Sequence, residues 1–533
     1  MSSGIEMTKY ALNNHWLNSA NKNEYLYVFA VFVLTFTLRM LLIGQAPFTD
    51  EGIYIAHSYF TAVYRHHPES TSLLPNAGPI FLYSNLLFWL SYLPGPPFLY
   101  WRLVDALVAS CAAGTLFIFL RLFLDVFPAF FGAAAWTLAV NHQVFINAGF
   151  KNPICAATLS LLLALCTLHK QRGRFHSYLC GALVAFAVLL REPFAGYAIV
   201  IGVYIFCVLG KRKFFQYSVG GIFFSLVVVG IFAMLRGGLK EGIVQMVAEY
   251  RTLPKIYTGF QTVGGLDRLE HIWNAIKSNL SLLSWFIWLS VLGCCVSFFP
   301  AARIPRRLIF LAILLLLPPL WEICVSLCFP YHVNQLSLGL SLFAAAGFEY
   351  VGALIRQARY RKIGIAAVVV LCSLFIFGSQ SYWRSSLAAW KESAYFAPVM
   401  LANNWNSPVV QDSFYLDAAQ KIKRIISTKE NMVVSGFYSA LYPLSARLPY
   451  SFELLDITAY QLIYGAIKTD KITNLIAESR PDLIVQSNRF DKEQPITEFF
   501  PNFYTSYILV DSVPSGKRSY GGFDAKLWEK TYK

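Results

Sequence analysis

The chain has 533 residues, of which 56% are hydrophobic, 16% aromatic and only 14% charged, with a mean hydropathy of +0.50. Soluble chains carry about 25% charged residues, and apolar blocks about 20 residues long match the thickness of a bilayer core. Together these exclude a soluble cytoplasmic enzyme, a disordered chain and a small disulfide scaffold. The net charge of +15 sits in short basic clusters between apolar blocks, the distribution of a membrane protein and not of a nucleic-acid binder.

The first apolar block covers residues 25–44. It follows a polar start without a small-residue cleavage site, so it reads as a retained first helix and not as a cleaved signal peptide. Further blocks lie at 99–121, 127–147, 153–169, 177–190, 194–210, 214–235, 281–300, 308–329, 333–355 and 363–380. Between them stand Lys170-Arg172-Arg174, Lys211-Arg212-Lys213, Arg303-Arg306-Arg307 and Arg356-Arg359-Arg361-Lys362. A chain with its N-terminus inside and about eleven transmembrane helices places all of these clusters on the cytoplasmic side. The same arrangement puts the loops 46–98 and 236–280, and everything from 381 onward, on the outer face. The ten cysteines run from Cys111 to Cys372, all within the apolar part and without metal-ligand spacing, as buried apolar residues do.

The loop 46–98 is too mixed for a simple connection. Glu51 to Tyr64 is amphipathic and Pro79 to Leu93 is apolar with aromatic edges, which suits interfacial helices. The alternative is that 79–93 forms a short span. From Tyr382 the composition turns soluble: Met432-Val433-Val434 and Leu483-Ile484-Val485 predict buried strands and Asp417 to Ile426 a helix, a small α/β domain over 381–533. Residues 1–24 are then a cytoplasmic N-terminus and 25–380 the membrane domain. No internal repeat is visible.

Asp50 and Glu51, in Ala46-Pro47-Phe48-Thr49-Asp50-Glu51-Gly52-Ile53-Tyr54, come just after the first apolar block. A carboxylate at an apolar interface can act as a general base. The same pair also reads as a helix cap, with Thr49 or Asp50 at the N-cap and Glu51 at the positive helix end. Arg102 and Asp105 stand at i,i+3 spacing, which predicts a structural ion pair. Arg191-Glu192 sits at an outer helix end. Glu322, within Pro318-Pro319-Leu320-Trp321-Glu322, lies at a depth where a carboxylate needs a partner or a wet cavity; it is read either as a second carboxylate of the site or as a structural hydrogen-bonding group.

An Asp-Glu pair on the outer side of the first helix, followed by an amphipathic segment with Tyr54, resembles the GT-C glycosyltransferases. The likeness is in particular to bacterial relatives of the protein O-mannosyltransferases and of the aminoarabinose transferases that modify lipid A. Pro79-Ile80-Phe81-Leu82-Tyr83 with Trp101-Arg102-Leu103-Val104 resembles that group's Pro-rich stretch and second span. Val434-Ser435-Gly436-Phe437-Tyr438, Leu441-Tyr442 and Arg480-Pro481-Asp482-Leu483-Ile484-Val485 resemble its outer domain.

The resemblance implies a polytopic α-helical GT-C enzyme of a bacterial inner membrane, with its active site on the periplasmic face. It would move a sugar from a polyprenyl-phosphate donor to a cell-envelope lipid, glycan or protein acceptor. Asp50 would deprotonate or orient the acceptor hydroxyl and Glu51 would support it. On the donor side stand Tyr54, then Tyr331 and His332 after Phe329-Pro330, and Arg251 and Lys255 of the loop 236–280. Tyr331-His332 also reads as an interfacial anchor, and Arg251 and Lys255 as solvated charges. Its expected partners are the lipid-linked donor, the acceptor and membrane lipids.

This chain departs from the pattern at three places. Ile53 stands where the aminoarabinose transferases have an arginine, Asn76-Ala77-Gly78 where they have a lysine, and Asn152 near the position of a second carboxylate. Asn152 can hydrogen-bond but cannot act as a base. The sugar is therefore expected to differ from aminoarabinose. Asp50 and Glu51 point in different directions on a helix, so no essential metal and no other cofactor is expected. Two alternatives are an O-antigen-type polymerase or ligase, and a non-enzymatic lipid flippase or transporter.

Overall fold

The computed structural model describes residues 22–43, 82–87, 97–143, 152–170, 174–235, 286–295, 304–325, 335–378, 380–401, five strands beyond 432 and isolated positions between these. Its helices are α1 (Lys22–Met40), α2 (Leu82–Leu86), α3 (Pro97–Arg121), α4 (Val126–Gln143), α5 (Asn152–Lys170), α6 (Arg174–Leu190) and α7 (Ala195–Tyr204). There follow α8 (Lys211–Leu235), α9 (Phe286–Cys295), α10 (Arg306–Val325), α11 (Ser337–Arg356), α12 (Arg361–Gly378) and α13 (Gln380–Leu401). Each apolar block read from the sequence coincides with one of these helices. Against the expected count of spans, three described helices are long and apolar enough to cross a membrane: Leu99–Arg121, Lys211–Met234 and Ser337–Arg356. Five more are shorter apolar helices. Within 79–93 the described α-helix is Leu82–Leu86, five residues long and too short to cross. Helix α13 extends regular structure past the point where the sequence turns polar.

Lipid-like surroundings suit the faces left open. On α8, Phe215, Ile222, Phe223 and Leu226 are all exposed, an apolar stripe that in water would be a large liability. Between helices the contacts are close and sparingly polar. A Cβ on Gly181 of α6 would collide with the Tyr217 carbonyl of α8, and one on Gly220 with the Tyr178 carbonyl, so the two backbones cross in contact. Small residues at such crossings are how helices approach where no hydrophobic force separates protein from lipid. Buried hydroxyls add cross-links: Thr35 to Thr137 at 3.0 Å, and Ser160 to the Leu183 carbonyl at 2.7 Å.

Side-chain contacts fix which helix ends lie together. At one end, Arg121 of α3 pairs with Glu24 of α1 at 2.8 Å, and Arg356 of α11 bonds Asp125 at 2.7 Å. His169 of α5 meets Tyr204 of α7 at 2.8 Å and packs edge-on against Phe119 and Phe123, while Tyr204 stacks on Phe310 of α10. Lys170, Arg306-Arg307 and Arg356 thus share this basic end. Lys211-Arg212-Lys213 join it, because α7 runs through a π-helical turn, Ile205–Leu209, to Gly210, whose φ of 90° reverses the chain into α8. The opposite end holds the close of α1 and the starts of α3, α5, α7 and α11.

After residue 432 the strands are β1 (Val433–Ser435), β2 (Tyr450–Ser451), β3 (Leu483–Ser487), β4 (Tyr507–Val513) and β5 (Ala525–Lys530), in the order β2-β1-β3-β5-β4. β1 runs parallel to β2 and β3, and β5 antiparallel to β3 and β4. Both strands expected from apolar runs are present, as β1 and β3. The expected helix over Asp417 to Ile426 lies outside the described residues.

Candidate active site

The end of the bundle opposite the basic clusters is polar inside. Arg39, in the last turn of α1, donates from Nη1 to Asp105 Oδ2 at 2.9 Å, with side chains 2% and 0% exposed. Its Nη2 also reaches Cys155 Sγ of α5 at 3.6 Å. Arg102, buried one turn before Asp105, donates to the Ile43 carbonyl at 2.7 Å. Helix C-termini leave carbonyls unsatisfied and carry partial negative charge, so a guanidinium there meets both needs. Asp105 thus pairs across helices with Arg39, and Arg102, at the expected i,i+3 spacing from it, reaches over to the end of α1.

The same cluster holds the far end of the first long loop. Tyr83 of α2 is buried and meets Trp101 edge-on at 5.7 Å. Burial pushes its phenol well above the ordinary value, and the Asp105 carboxylate and Cys155 add to the effect. The segment from Ile43 to Tyr83, which carries Asp50 and Glu51, therefore has both its ends fastened to one buried group.

Asp50, Glu51, Tyr54, Arg251, Lys255, Tyr331 and His332 lie outside the described residues. Of the other candidates, Asn152 opens α5 and Arg191 closes α6. Glu192 begins a 3-10 turn, Glu192–Phe194, that leads into α7. Glu322 is in the last turns of α10, half-buried and within electrostatic reach of the Tyr197 hydroxyl. All of these sit toward the end where Arg39 and Asp105 meet. Among the described residues no cluster of three His, Cys, Asp or Glu could hold a metal.

A comparison with family models finds no match, and one with curated proteins finds none. Solved structures do match. ArnT from Cupriavidus metallidurans bound to undecaprenyl phosphate is similar over 94% of this chain and 97% of its own, at 15% identity and a TM-score of 0.51. This chain has the GT-C fold. The apo state of the same ArnT aligns at 14% identity over 93% of this chain and 97% of that one, with a TM-score of 0.47. The apo oligosaccharyltransferase of Archaeoglobus fulgidus gives 11% identity, 87% and 70% coverage and a TM-score of 0.49.

The residues missed in the sequence are Arg39 and Gln335. Arg39 had a signal, since a guanidinium inside an apolar block requires a buried partner. Gln335 had none: an uncharged amide at a helix start looks like any loop residue. In the GT-C fold of this chain it lines a cavity of about 20 Å³ among α4, α5, α7 and α11, together with Thr158, Tyr197 and Ser337. Tyr197 Oη makes a long hydrogen bond of 3.4 Å to the Gln335 carbonyl, which ties α7 to α11 at this level.

Proposed function

We propose that this chain is a membrane glycosyltransferase. It takes a sugar from a polyprenyl-phosphate-linked donor and passes it to a lipid or glycan acceptor of the bacterial cell envelope. The observation that carries the reading is the fold shared, over nearly the whole chain, with a protein solved with undecaprenyl phosphate bound. The basic end of the bundle faces the cytoplasm in this reading, and the Arg39–Asp105 end, with the α/β tail, faces the periplasm.

The chemistry asked of the chain is a single displacement. An acceptor hydroxyl gives its proton to Asp50 as its oxygen attacks the anomeric carbon. The bond from that carbon to the phosphate oxygen breaks, and polyprenyl phosphate leaves as an anion. The configuration at the anomeric carbon inverts. Glu51 supports Asp50 or contacts the sugar. Tyr54, Tyr331, His332, Arg251 and Lys255 are the proposed donor ligands, with Asn152, Arg191, Glu192 and Glu322 as supporting groups at the same end. Hydroxyl, imidazole and guanidinium donors suit a phosphate.

Mass spectrometry of envelope lipids and glycans tests this in cells with the wild-type chain, without it, and with Asp50→Asn. One sugar-sized mass missing from an acceptor in both the null and the variant is the expected result. A mass lost in the null but kept by Asp50→Asn at normal expression would make Asp50 a helix cap. Unmodified carrier building up with no glycan change would replace transfer by flipping.

A further inference from the structure

The basic end of the bundle carries charge that the chain itself does not answer. Lys211 and Arg212 are the first two residues of α8, both exposed, and the first turn of that helix holds no acidic residue. Among the described residues neither forms an ion pair. Arg356, at the same end, is different, because Asp125 and Glu349 hold it. The imbalance is built into the sequence: between Asp125 and Glu241 the one acidic residue is Glu192, which stands toward the opposite end. Arg174 opens α6, and α6 crosses α8 within the first three turns of both, Gly181 against Tyr217 and Tyr178 against Gly220. Basic groups at a helix start are also opposed by its positive end, so the patch favours a negative partner.

Apolar surface continues directly from these bases. Phe206, in the π-helical turn before Gly210, meets Phe214 edge-on at 5.7 Å, and both rings are exposed. Next to them runs the open stripe of Phe215, Ile222, Phe223 and Leu226 on α8, the least buried of the three long apolar helices. From Phe215 to Leu226 the helix rises about 17 Å, about half of a bilayer core and so the depth of one leaflet. A soluble anion would use the bases and leave the stripe bare. A second copy in the same orientation would cover the stripe but set its own Lys211 and Arg212 against these. An anionic phosphate carried on acyl chains complements both parts.

We propose that the head of α8 binds one anionic phospholipid, with its phosphate on Lys211 and Arg212 and its acyl chains along the stripe from Phe215 to Leu226. The site lies at the end of the bundle away from Arg39 and Asp105, and it stands apart from the glycosyl-transfer reading.

The test is native mass spectrometry of the full chain in detergent, titrated with phosphatidylglycerol or with phosphatidylcholine of the same acyl chains. The wild type is expected to hold one phosphatidylglycerol more tightly than any phosphatidylcholine. A base beside a lipid phosphate contributes about fivefold, so Lys211→Gln with Arg212→Gln should weaken that lipid about 25-fold. Lys211→Arg with Arg212→Lys keeps the charge and should keep the lipid, which separates loss of charge from loss of fold. Lys526→Gln with Lys530→Gln removes as much charge from β5 and should leave the lipid in place. Equal retention of the two lipids, an equal loss in the β5 variant, or loss in the charge-keeping variant overturns the site. Displacement of the lipid by deacylated glycerophosphoglycerol at equal concentration would make it a site for a soluble anion. A dimer that persists without lipid and is weakened by Phe223→Ala would give the face to a second copy instead.

Discussion

Removing either partner of the Arg39–Asp105 pair takes a charged hydrogen-bond partner from the other in a bundle where both side chains are all but fully buried. At the observed 2.9 Å the attraction is about 6 kcal/mol for an effective dielectric near 20. Desolvation of both groups consumes much of that in the intact protein, but not when one partner is deleted. Arg39→Met or Asp105→Asn is therefore expected to destabilise the fold by about 3–5 kcal/mol each. The double variant should recover part of the loss, because neither charge of the pair then remains buried without the other. Cys155 and Cys180 are free and buried, so a thiol-reactive dye reports unfolding in detergent as they become exposed. The Arg356–Asp125 pair supplies the contrast: both side chains are about 60% exposed, and Arg356→Ala should change stability by less than about 1 kcal/mol. Single variants at Arg39 or Asp105 that melt like the wild type, or a double variant worse than the sum of the two, would refute this account.

Three further outcomes follow from the same geometry. Gly181→Val pushes a side chain into the Tyr217 carbonyl and should lower folded yield sharply, at about 3 kcal/mol or more. Gly230, on α8, has open space where a methyl group would stand; Gly230→Ala should be neutral or stabilising by up to about 1 kcal/mol, read by the same dye. The Tyr83 phenol is raised by burial first and Asp105 second, so ultraviolet titration should find it still protonated at about pH 10. Its contribution to stability is present in full below the unfolded value and is lost as pH rises from there through the folded one. Tyr83→Phe should erase that high-pH loss.

The membrane helices were legible because their signal is long and redundant. Each needs a run of apolar residues, and the basic clusters between runs independently fix which ends belong together; the His169–Tyr204 and Arg356–Asp125 contacts join the ends that the clusters assign to one side. The strands β1 and β3 were legible for a like reason, as short β-branched runs between polar segments. The interior of the site was not. Asp105 has Arg102 one turn away on its own helix, and sequence spacing favours that local pair. Its buried bond to Arg39 spans 66 positions, a contact decided by how α1 and α3 pack. Gln335 is a harder case still, since its place at the edge of a cavity depends on how three other helices pack around it.

These two sets of residues suggest how the opposite end of the bundle divides its work. The Arg39–Asp105 group, with Arg102 on the Ile43 carbonyl and Tyr83 against Trp101, holds both ends of the segment from Ile43 to Tyr83, in which Asp50 stands near the start. The uncharged cavity lies on the other side of Cys155, which touches Arg39 and lines the cavity as well. A single thiol thus stands between the charged group and an uncharged cavity. The bond of the guanidinium to Asp105 keeps its charge on the far side of that thiol, so the lining of the cavity stays uncharged.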